Sequence, residues 1–382
     1  MLRSSVVGNR VRLIDVIERF VYHSKPSRLI ALALAVSFIK TGIWYMPNLE
    51  DWRAISLNPF RNPFTEPISR YLFWNWLSPF LAWRLGIRSE QSFLYFHLLF
   101  SVAFTCTFIA FVWSHFEERD ARTSLVIFLA LPVSATAYLW VGMDSVTLAL
   151  MLLLFVVRRH LWLTLVIGVL LGMQHFEQAL VAFGALLVAS FLSFVLNTKS
   201  EYPIRWAITS LVGVVLGKVV LILTFSHFGI DASFGRLYFL QQFYRLYISF
   251  FYYHFQYIVW SVLGVGWIAV AKYAERGKIA LPFLIVLSGL LLLLPFVGDQ
   301  TRVLSIVTFP LVATYLLLNP GFLQSLNGRF VSAIFGIWLL VPYPWEWGGK
   351  PLVSIFPYDV AYVLHRLFGW LTVPTNQPLW PL

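Results

Sequence analysis

Runs of apolar residues that are long enough to cross a lipid bilayer recur along almost the whole chain. The run over 206–226, for example, holds a single charged side chain, Lys218. The hydrocarbon core of a bilayer is spanned by about 20 apolar residues in a helix. Because lipid offers no partner for backbone N–H and C=O groups, such runs must pair these groups internally, as helices do. The pattern predicts a chain that folds as helices inside a membrane.

Composition supports the same fold class. Of the 382 residues, 59% are hydrophobic and 12% are charged, whereas a soluble domain carries about 25% charged residues. A membrane β-barrel would show short alternating segments instead of continuous apolar runs. We therefore predict an all-α polytopic membrane protein with about eleven transmembrane helices, a long first extracytoplasmic loop and interfacial helices. The expected spans are 29–46, 91–113, 124–140, 145–157, 161–173, 179–196, 206–226, 255–271, 279–297, 303–318 and 329–343.

The positive charges set the expected orientation. The net charge is +11, but the Lys and Arg residues lie mostly in connections between apolar runs. Basic connections are retained on the cytoplasmic side, so we predict a cytoplasmic N-terminus, a lipid bilayer as partner and no nucleic acid. The expected organisation is a basic interfacial helix at 1–28, a transmembrane domain at 29–343 with long outer loops at 47–90 and 227–254, and an outer interfacial tail at 344–382.

Under this topology, the acidic residues closest to the helices all face the outer side. Ionisable groups at membrane depth are costly and usually line a polar cavity. Two of the predicted helices, 145–157 and 161–173, are only about 20 Å long, so we expect a recess with Asp144 near its floor. The acidic residues that this recess would gather are Glu50, Asp51, Asp144, Glu177 and Asp299.

The first of these groups admits two interpretations. The stretch 47–70 holds Pro47, Pro59, Pro63 and Pro67, so it cannot be one continuous helix. Within it, a carboxylate of Glu50 or Asp51 could deprotonate an acceptor hydroxyl. The alternative is that both acids occupy the first turn of a helix, where the helix dipole favours them.

Three further groups lie between predicted spans. Asp144 either caps the next helix or lines the cavity, and one role does not exclude the other. In 174–178, His175 and Glu177 do not share a helical face, so a hydrogen-bonding cluster for a polar substrate fits better than a metal pair; the alternative is a polar helix end. Arg302 next to Asp299 could grip a lipid-linked phosphate with two hydrogen bonds, or it could simply close the loop as a salt bridge.

The predicted second loop, 227–254, mixes Arg236 and Arg245 with many aromatic residues. Such a mixture fits a surface over a sugar or lipid head group, although an aromatic belt at the membrane interface explains many of the rings. The chain has no phosphate-binding glycine loop and no dinucleotide fingerprint. ATP-driven transport and a nicotinamide cofactor are therefore not indicated. Gly213 and Gly217 have a spacing that is typical of close helix packing.

The layout resembles the GT-C superfamily of integral-membrane glycosyltransferases, which use polyprenyl-phosphate-linked sugars. The resemblance lies in the acidic pair Glu50-Asp51 in a long first outer loop, the aromatic segment at 68–86, the second outer loop at 227–254, and the Asp299 to Arg302 segment that runs into VLSIVTFPLV. It implies that Asp51 is the catalytic base, with Glu50 as its rival, and that Arg302 binds the lipid phosphate. It also implies a bacterial inner membrane location with the active site on the extracytoplasmic side.

The resemblance makes an inverting sugar transfer the leading prediction. The expected partners are a polyprenyl-phosphate sugar donor and a lipid, glycan or protein acceptor; no cofactor is implied, and a divalent metal stays open. Arg302 and Arg245 would stabilise the developing phosphate charge. Substrate contacts are expected from Asp144, His175, Glu177, Arg236, Arg245, Asp299 and Arg302. The alternatives are an O-antigen-type glycan polymerase or ligase, in which the arginines outweigh Asp51, and a non-enzymatic lipid or glycan transporter. The chain departs from many members in its Glu-Asp pair and in having no large C-terminal soluble domain.

Overall fold

The computed structural model describes residues 13–41, 49–66, 69–139, 142–198, 203–232, 236–347 and 350–353. Nearly all of them are helical, as the apolar runs predict. The α-helices are α1 Leu13–His23, α2 Pro26–Thr41, α3 Leu49–Leu57, α4 Leu77–Arg84, α5 Glu90–His115, α6 Glu118–Ala130, α7 Val133–Leu139, α8 Met143–Val156, α9 Leu161–Val195, α10 Ile204–His227, α11 Arg236–Leu263, α12 Trp267–Ala274, α13 Leu281–Leu291, α14 Gln300–Val312, α15 Pro320–Ser325 and α16 Gly328–Leu340. Single helical turns at Arg70–Trp74, Gly264–Gly266, Gly277–Ala280, Leu294–Phe296 and Ala313–Leu317 join or extend them.

The helices have the lengths and surfaces of an integral membrane protein. Six segments of the described chain are long and apolar enough to cross a membrane: Glu90–His115, Leu161–Val195, Ile204–His227, Leu240–Ala274, Gly277–Phe296 and Gln300–Leu317. Helix α10 exposes Val212, Val219 and Leu223 on its outer face, which suits contact with lipid. Helices α6, α8 and α14 are buried on nearly every side instead. They form the centre around which the other helices pack.

Helix α9 folds back on itself at His175, where the backbone leaves helical geometry (φ −158°, ψ 74°). Its first limb runs parallel to α10, because Gly168 and Gly172 approach Gly213 and Gly217 in the same order. Its second limb returns, since Phe183 lies 5.8 Å from the ring of Trp206 at the start of α10. The turn thus separates the predicted segments 161–173 and 179–196, and the packing role predicted for Gly213 and Gly217 is confirmed.

Two predicted segments are divided differently in the structure. The expected span 124–140 is two helices, α6 and α7, which are separated at Leu131–Pro132. Proline lacks a backbone N–H and clashes with the preceding turn, so the helix ends there. Much of the expected loop 227–254 belongs to α11, which is kinked at His254. That prediction failed because aromatic residues with scattered arginines were interpreted as a loop, whereas they also form an amphipathic helix surface.

The two ends of the helix assembly differ in what they gather. One end holds the start of α8, the turn of α9 and the start of α14; we call it the site end. At the opposite end, Arg122 of α6 donates to the carbonyl of Val21 in α1 (2.6 Å), and Arg119 donates to Leu326 (2.8 Å). These contacts fix α1, which is part of the predicted basic segment, against the helical core.

The segment from α3 to α4 packs over the site end rather than extending as a free loop. Its apolar side chains form a buried cluster with Met143 of α8 and with Leu221 and Phe225 of α10. The members contributed by the segment are Leu49, Trp52, Ile55, Leu72, Phe73, Trp76 and Ala82. As predicted from its prolines, 47–70 is not one helix, since α3 ends at Leu57. A short antiparallel hairpin, β1 Pro344–Trp347 and β2 Lys350–Val353, begins the predicted tail; the rest of that tail lies outside the described residues.

Candidate functional site: an arginine between two buried carboxylates

Three charged side chains from two distant parts of the chain meet at the site end. Asp144 lies in the first turn of α8, and Asp299 lies at the N-terminal cap position of α14, where the helix dipole favours a negative charge. Arg302 is one turn further along α14. Its Nη1 lies 3.0 Å from Asp144 Oδ2 and its Nε lies 2.5 Å from Asp299 Oδ2. Two ion pairs therefore fix the guanidinium group.

The three side chains are largely shielded from solvent, but part of their surface stays exposed. The exposed fraction of the side chain is 4% for Asp144, 13% for Asp299 and 22% for Arg302. Burial raises the pKa of Asp299 to about 6; Arg302 opposes this shift and the charge of Asp144 adds to it. Because this pKa is close to neutral pH, Asp299 can take up or release a proton there at a small cost in free energy. The arginine is the member of the group with the most surface left for a ligand.

A second polar junction joins α9 to the segment above it. Gln174 donates from Nε2 to the carbonyl of Met143 (3.1 Å), and its Oε1 accepts from the backbone N–H of Ser78 (2.9 Å). This residue, which sequence analysis placed only within a polar cluster, thereby ties the turn of α9 to α8 and α4. His175 is buried at the turn itself. His175 directly follows Gln174, which contacts Met143, so it lies close to the start of α8.

Glu177 is engaged with a cation from α10. Its Oε1 lies 3.7 Å from Nζ of Lys218, the single charged side chain in the apolar run over 206–226. The same ammonium group stands 3.3 Å from the centre of the Trp74 ring, a cation–π distance. Glu177 thus contributes to a junction between α9, α10 and the segment above the site end, rather than joining the ion pairs of Arg302.

The predicted catalytic acids lie on α3. Both occupy its first turn, as one of the two interpretations expected. Glu50 is exposed, whereas Asp51 is half-buried. Burial, and then the neighbouring charge of Glu50, raises the pKa of Asp51. The apolar face of the same helix packs in one cluster with Met143, the residue before Asp144. Asp51 is therefore held on a helix that is anchored next to the start of α8.

The two arginines predicted from the second loop both belong to α11. Arg245 is exposed, and its Nε donates to the hydroxyl of Tyr244 (3.0 Å). Arg236 begins α11, and its side chain lies outside the described residues. That Arg245 and Arg302 contact one phosphate together stays a prediction.

Three further residues lie around Arg302, and none of them was predicted as a site residue. Tyr71 lies within electrostatic range of both Arg302 and Tyr247, and the ring of Tyr247 closes against Gly298, where an added Cβ would stand 2.4 Å from it. Gln300 is fully buried, and neither atom of its side-chain amide has a hydrogen-bond partner among the described residues.

Comparison with known proteins adds nothing to this geometry. No family model matches the chain, and no curated protein and no solved structure matches it. Among the residues that the structure describes, no group of three or more His, Cys, Asp and Glu side chains is placed to hold a metal ion.

Proposed function

We propose that this protein is a membrane glycosyltransferase that transfers a sugar from a polyprenyl-phosphate-linked donor to a lipid, glycan or protein acceptor on the extracytoplasmic side. The observation that carries the proposal is the convergence of Asp144, Asp299 and Arg302. A guanidinium that is fixed in plane by two carboxylates can present donors to a phosphate without losing side-chain entropy on binding. A phosphate that leaves as an anion is stabilised by such a preorganised charge.

The proposed topology places this group where a lipid-linked donor can reach it. In the proposed topology, the chain crosses the bilayer about eleven times, and the site end lies on the extracytoplasmic side. The fold-back of α9 at His175 supports two passes for that helix, and the contacts between α1 and α6 support a cytoplasmic opposite end. Helix α8 has 14 residues, or about 21 Å at 1.5 Å per residue. Because this is shorter than a hydrocarbon core of about 30 Å, Asp144 would lie at the floor of a recess.

In the proposed reaction, Asp51 removes the proton of the acceptor hydroxyl. The hydroxyl oxygen attacks the anomeric carbon from the face opposite the phosphate, and the bond from that carbon to the phosphate oxygen breaks. The electron pair leaves with the lipid phosphate beside Arg302. The raised pKa of Asp51 favours this role, because a general base works best when its pKa approaches the ambient pH. Asp144 and Asp299 act as positioning residues for the arginine.

Two measurements test this function with purified protein in lipid nanodiscs. Mass spectrometry of the lipid extracted with the protein should find a polyprenyl phosphate or its glycosylated form. Transfer from a set of polyprenyl-phosphate hexoses and pentoses should then fall by about 10²-fold or more in Asp51→Asn, the loss typical of a general base. Glu66→Gln is the matched control, since Glu66 is an exposed acid of the same segment.

The outcome also separates the alternatives. Full transfer by Asp51→Asn would rule out Asp51 as the base. If glycan joining were lost in Arg302→Gln while Asp51→Asn stayed active, a polymerase or ligase that depends on the arginine would replace the proposal. Movement of intact lipid-linked glycan across the bilayer, with no sugar transferred, would indicate a transporter.

A further inference from the structure

A cleft with a volume of about 350 Å³ lies between the segment after α3 and the turn after α10. Its walls combine aromatic and charged side chains. The residues that decide its chemistry are Phe60, Arg61, Phe64, Arg70, Phe228 and Asp231. None of them belongs to the ion pairs of Arg302. The cleft is thus a second candidate binding place at the site end.

The two walls of this cleft are fastened together. Arg70 Nη1 lies 2.5 Å from Asp231 Oδ2, and Arg70 Nη2 donates to the carbonyl of Thr65 (3.2 Å). Asn62 donates from Nδ2 to the backbone carbonyl of Asp231 (2.7 Å) and accepts from the N–H of Phe64 through Oδ1. The two bonds to Asp231 join residues 161 and 169 positions apart. The cleft is therefore preformed, which lowers the entropic cost of binding.

One wall offers a rigid aromatic surface. The ring of Phe60 lies 4.5 Å from that of Phe228, 5.3 Å from that of Trp83 and 6.2 Å from that of Trp76. Trp76 is itself fixed by donating from Nε1 to the carbonyl of Pro59 (2.7 Å). A flat ligand face that packs on such rings gains dispersion contacts over its whole area. The C–H face of a pyranose ring has this shape.

The charge of the cleft selects the rest of the ligand. Arg70 is neutralised by Asp231. Arg61 is exposed, and its side chain has no hydrogen-bond or ion-pair partner among the described residues. The cleft thus carries one uncompensated guanidinium next to an aromatic wall. A guanidinium binds phosphate and carboxylate through paired hydrogen bonds, so an anionic group on the ring is the matching ligand chemistry.

From these features we propose that the cleft binds a sugar ring that carries an anionic group, as in a glycosyl phosphate or a uronic acid residue. Arg61 contacts the anion, and Phe60, Phe64 and Phe228 pack against the ring. This inference does not depend on the proposed transfer reaction. It assigns a recognition site for an anionic glycan to the face of the protein that also holds Asp51.

The test uses the full-length protein in nanodiscs of zwitterionic phosphatidylcholine. Saturation-transfer NMR and calorimetric titration would measure binding of glucose 1-phosphate, glucuronate, glucose and inorganic phosphate. We expect the two anionic sugars to bind, with glucose and inorganic phosphate at least about tenfold weaker, because each retains only one of the two kinds of contact. Arg61→Gln should weaken the anionic sugars about tenfold, Arg61→Lys less, and Phe228→Leu should weaken glucuronate and glucose 1-phosphate alike.

An exposed arginine of the same segment supplies the control. Arg84→Gln removes the same charge and should leave binding unchanged. The proposal is overturned if glucose 1-phosphate and glucuronate do not bind, if Arg61→Gln binds them as the wild type does, or if only Arg302→Gln abolishes binding. It is also overturned if phosphatidylglycerol in the nanodisc, rather than either sugar, is the ligand that depends on Arg61.

Discussion

Asp144 and Arg302 form an ion pair across 158 positions of sequence, with Nη1 and Oδ2 3.0 Å apart. The pair joins the start of α8 to the start of α14, two of the three helices that are buried on nearly every side. Asp144 has almost no exposed surface, and Arg302 provides its side chain with an ion-pair partner. The contact therefore joins α8 to α14 and also fixes the position of Arg302 in the candidate site.

Removing one member of this pair should destabilise the protein more than removing both. Asp144→Asn leaves Arg302 with one carboxylate, and Arg302→Gln leaves Asp144 buried without its cation. Breaking a buried pair from one side costs about 3 kcal/mol or more. We expect the double variant Asp144→Asn/Arg302→Gln to lose less than the sum of the two single losses, as measured by denaturant unfolding in detergent. Strict additivity would mean that the two charges do not interact energetically.

The buried position of Asp299 predicts a dependence of stability on pH. Its pKa is raised from 3.8 to about 6 in the folded protein, so folding favours the protonated form. Its contribution to stability is fully present below about pH 4 and is lost as the pH rises through 6. Relative to Asp299→Asn, which stays neutral, the wild type should lose up to about 3 kcal/mol over this window.

Thermal unfolding from pH 4 to pH 8 would measure this difference. Glu275→Gln, which removes an acid at the opposite end, controls for the general loss of one negative charge. A wild-type and Asp299→Asn pair with parallel pH profiles would contradict a raised pKa for Asp299. A wild type that gains stability relative to the variant as the pH rises would reverse the sign and point to Arg302 as the dominant influence.

Lys218 should hold the segment above the site end in place. Its ammonium group contacts both Glu177 and the ring of Trp74. We expect Lys218→Met to keep the volume of the side chain but to increase hydrogen exchange over 70–76, because the cation–π contact is worth about 1 kcal/mol when partly shielded. Lys272→Met is the matched control, since Lys272 pairs with Glu275 on an exposed surface. Unchanged exchange over 70–76 in the Lys218 variant would show that the aromatic cluster alone fixes this segment.

The close approach of α9 and α10 should not tolerate a side chain. A Cβ on Gly172 would stand 2.1 Å from the carbonyl oxygen of Val214, so the two helices would have to separate. We expect Gly172→Val to lower the unfolding temperature strongly, because overpacking of a tight contact costs about 1–3 kcal/mol or more. Gly184→Val in the same helix meets open space. Equal effects of the two substitutions would show that intrinsic helix propensity, not contact, sets the cost.

The sequence predicted those features that follow from local pattern. Apolar length predicted helices such as α5 and α10, and the charges of the connections predicted which groups share an end. The fold-back near His175 was predictable because four polar residues interrupt an apolar run. Pro132 also indicates a helix break, but one span was predicted over 124–140 because the residues on both sides of it are apolar. The helix α11 was missed because aromatic residues with arginines are common to loops and to helix surfaces.

What the sequence determined by itself is that this chain is a helical membrane protein in which the acids next to the ends of several apolar runs share one end, because hydrophobicity and charge act on each segment separately. Only the tertiary structure decided that Asp144 and Asp299 share Arg302 and that Glu177 pairs with Lys218. Such pairings depend on the rotation and depth of each helix in its packing. Those quantities are set by contacts between segments: the spacing of Gly213 and Gly217 predicts close packing, but it does not specify that α9 is the partner helix.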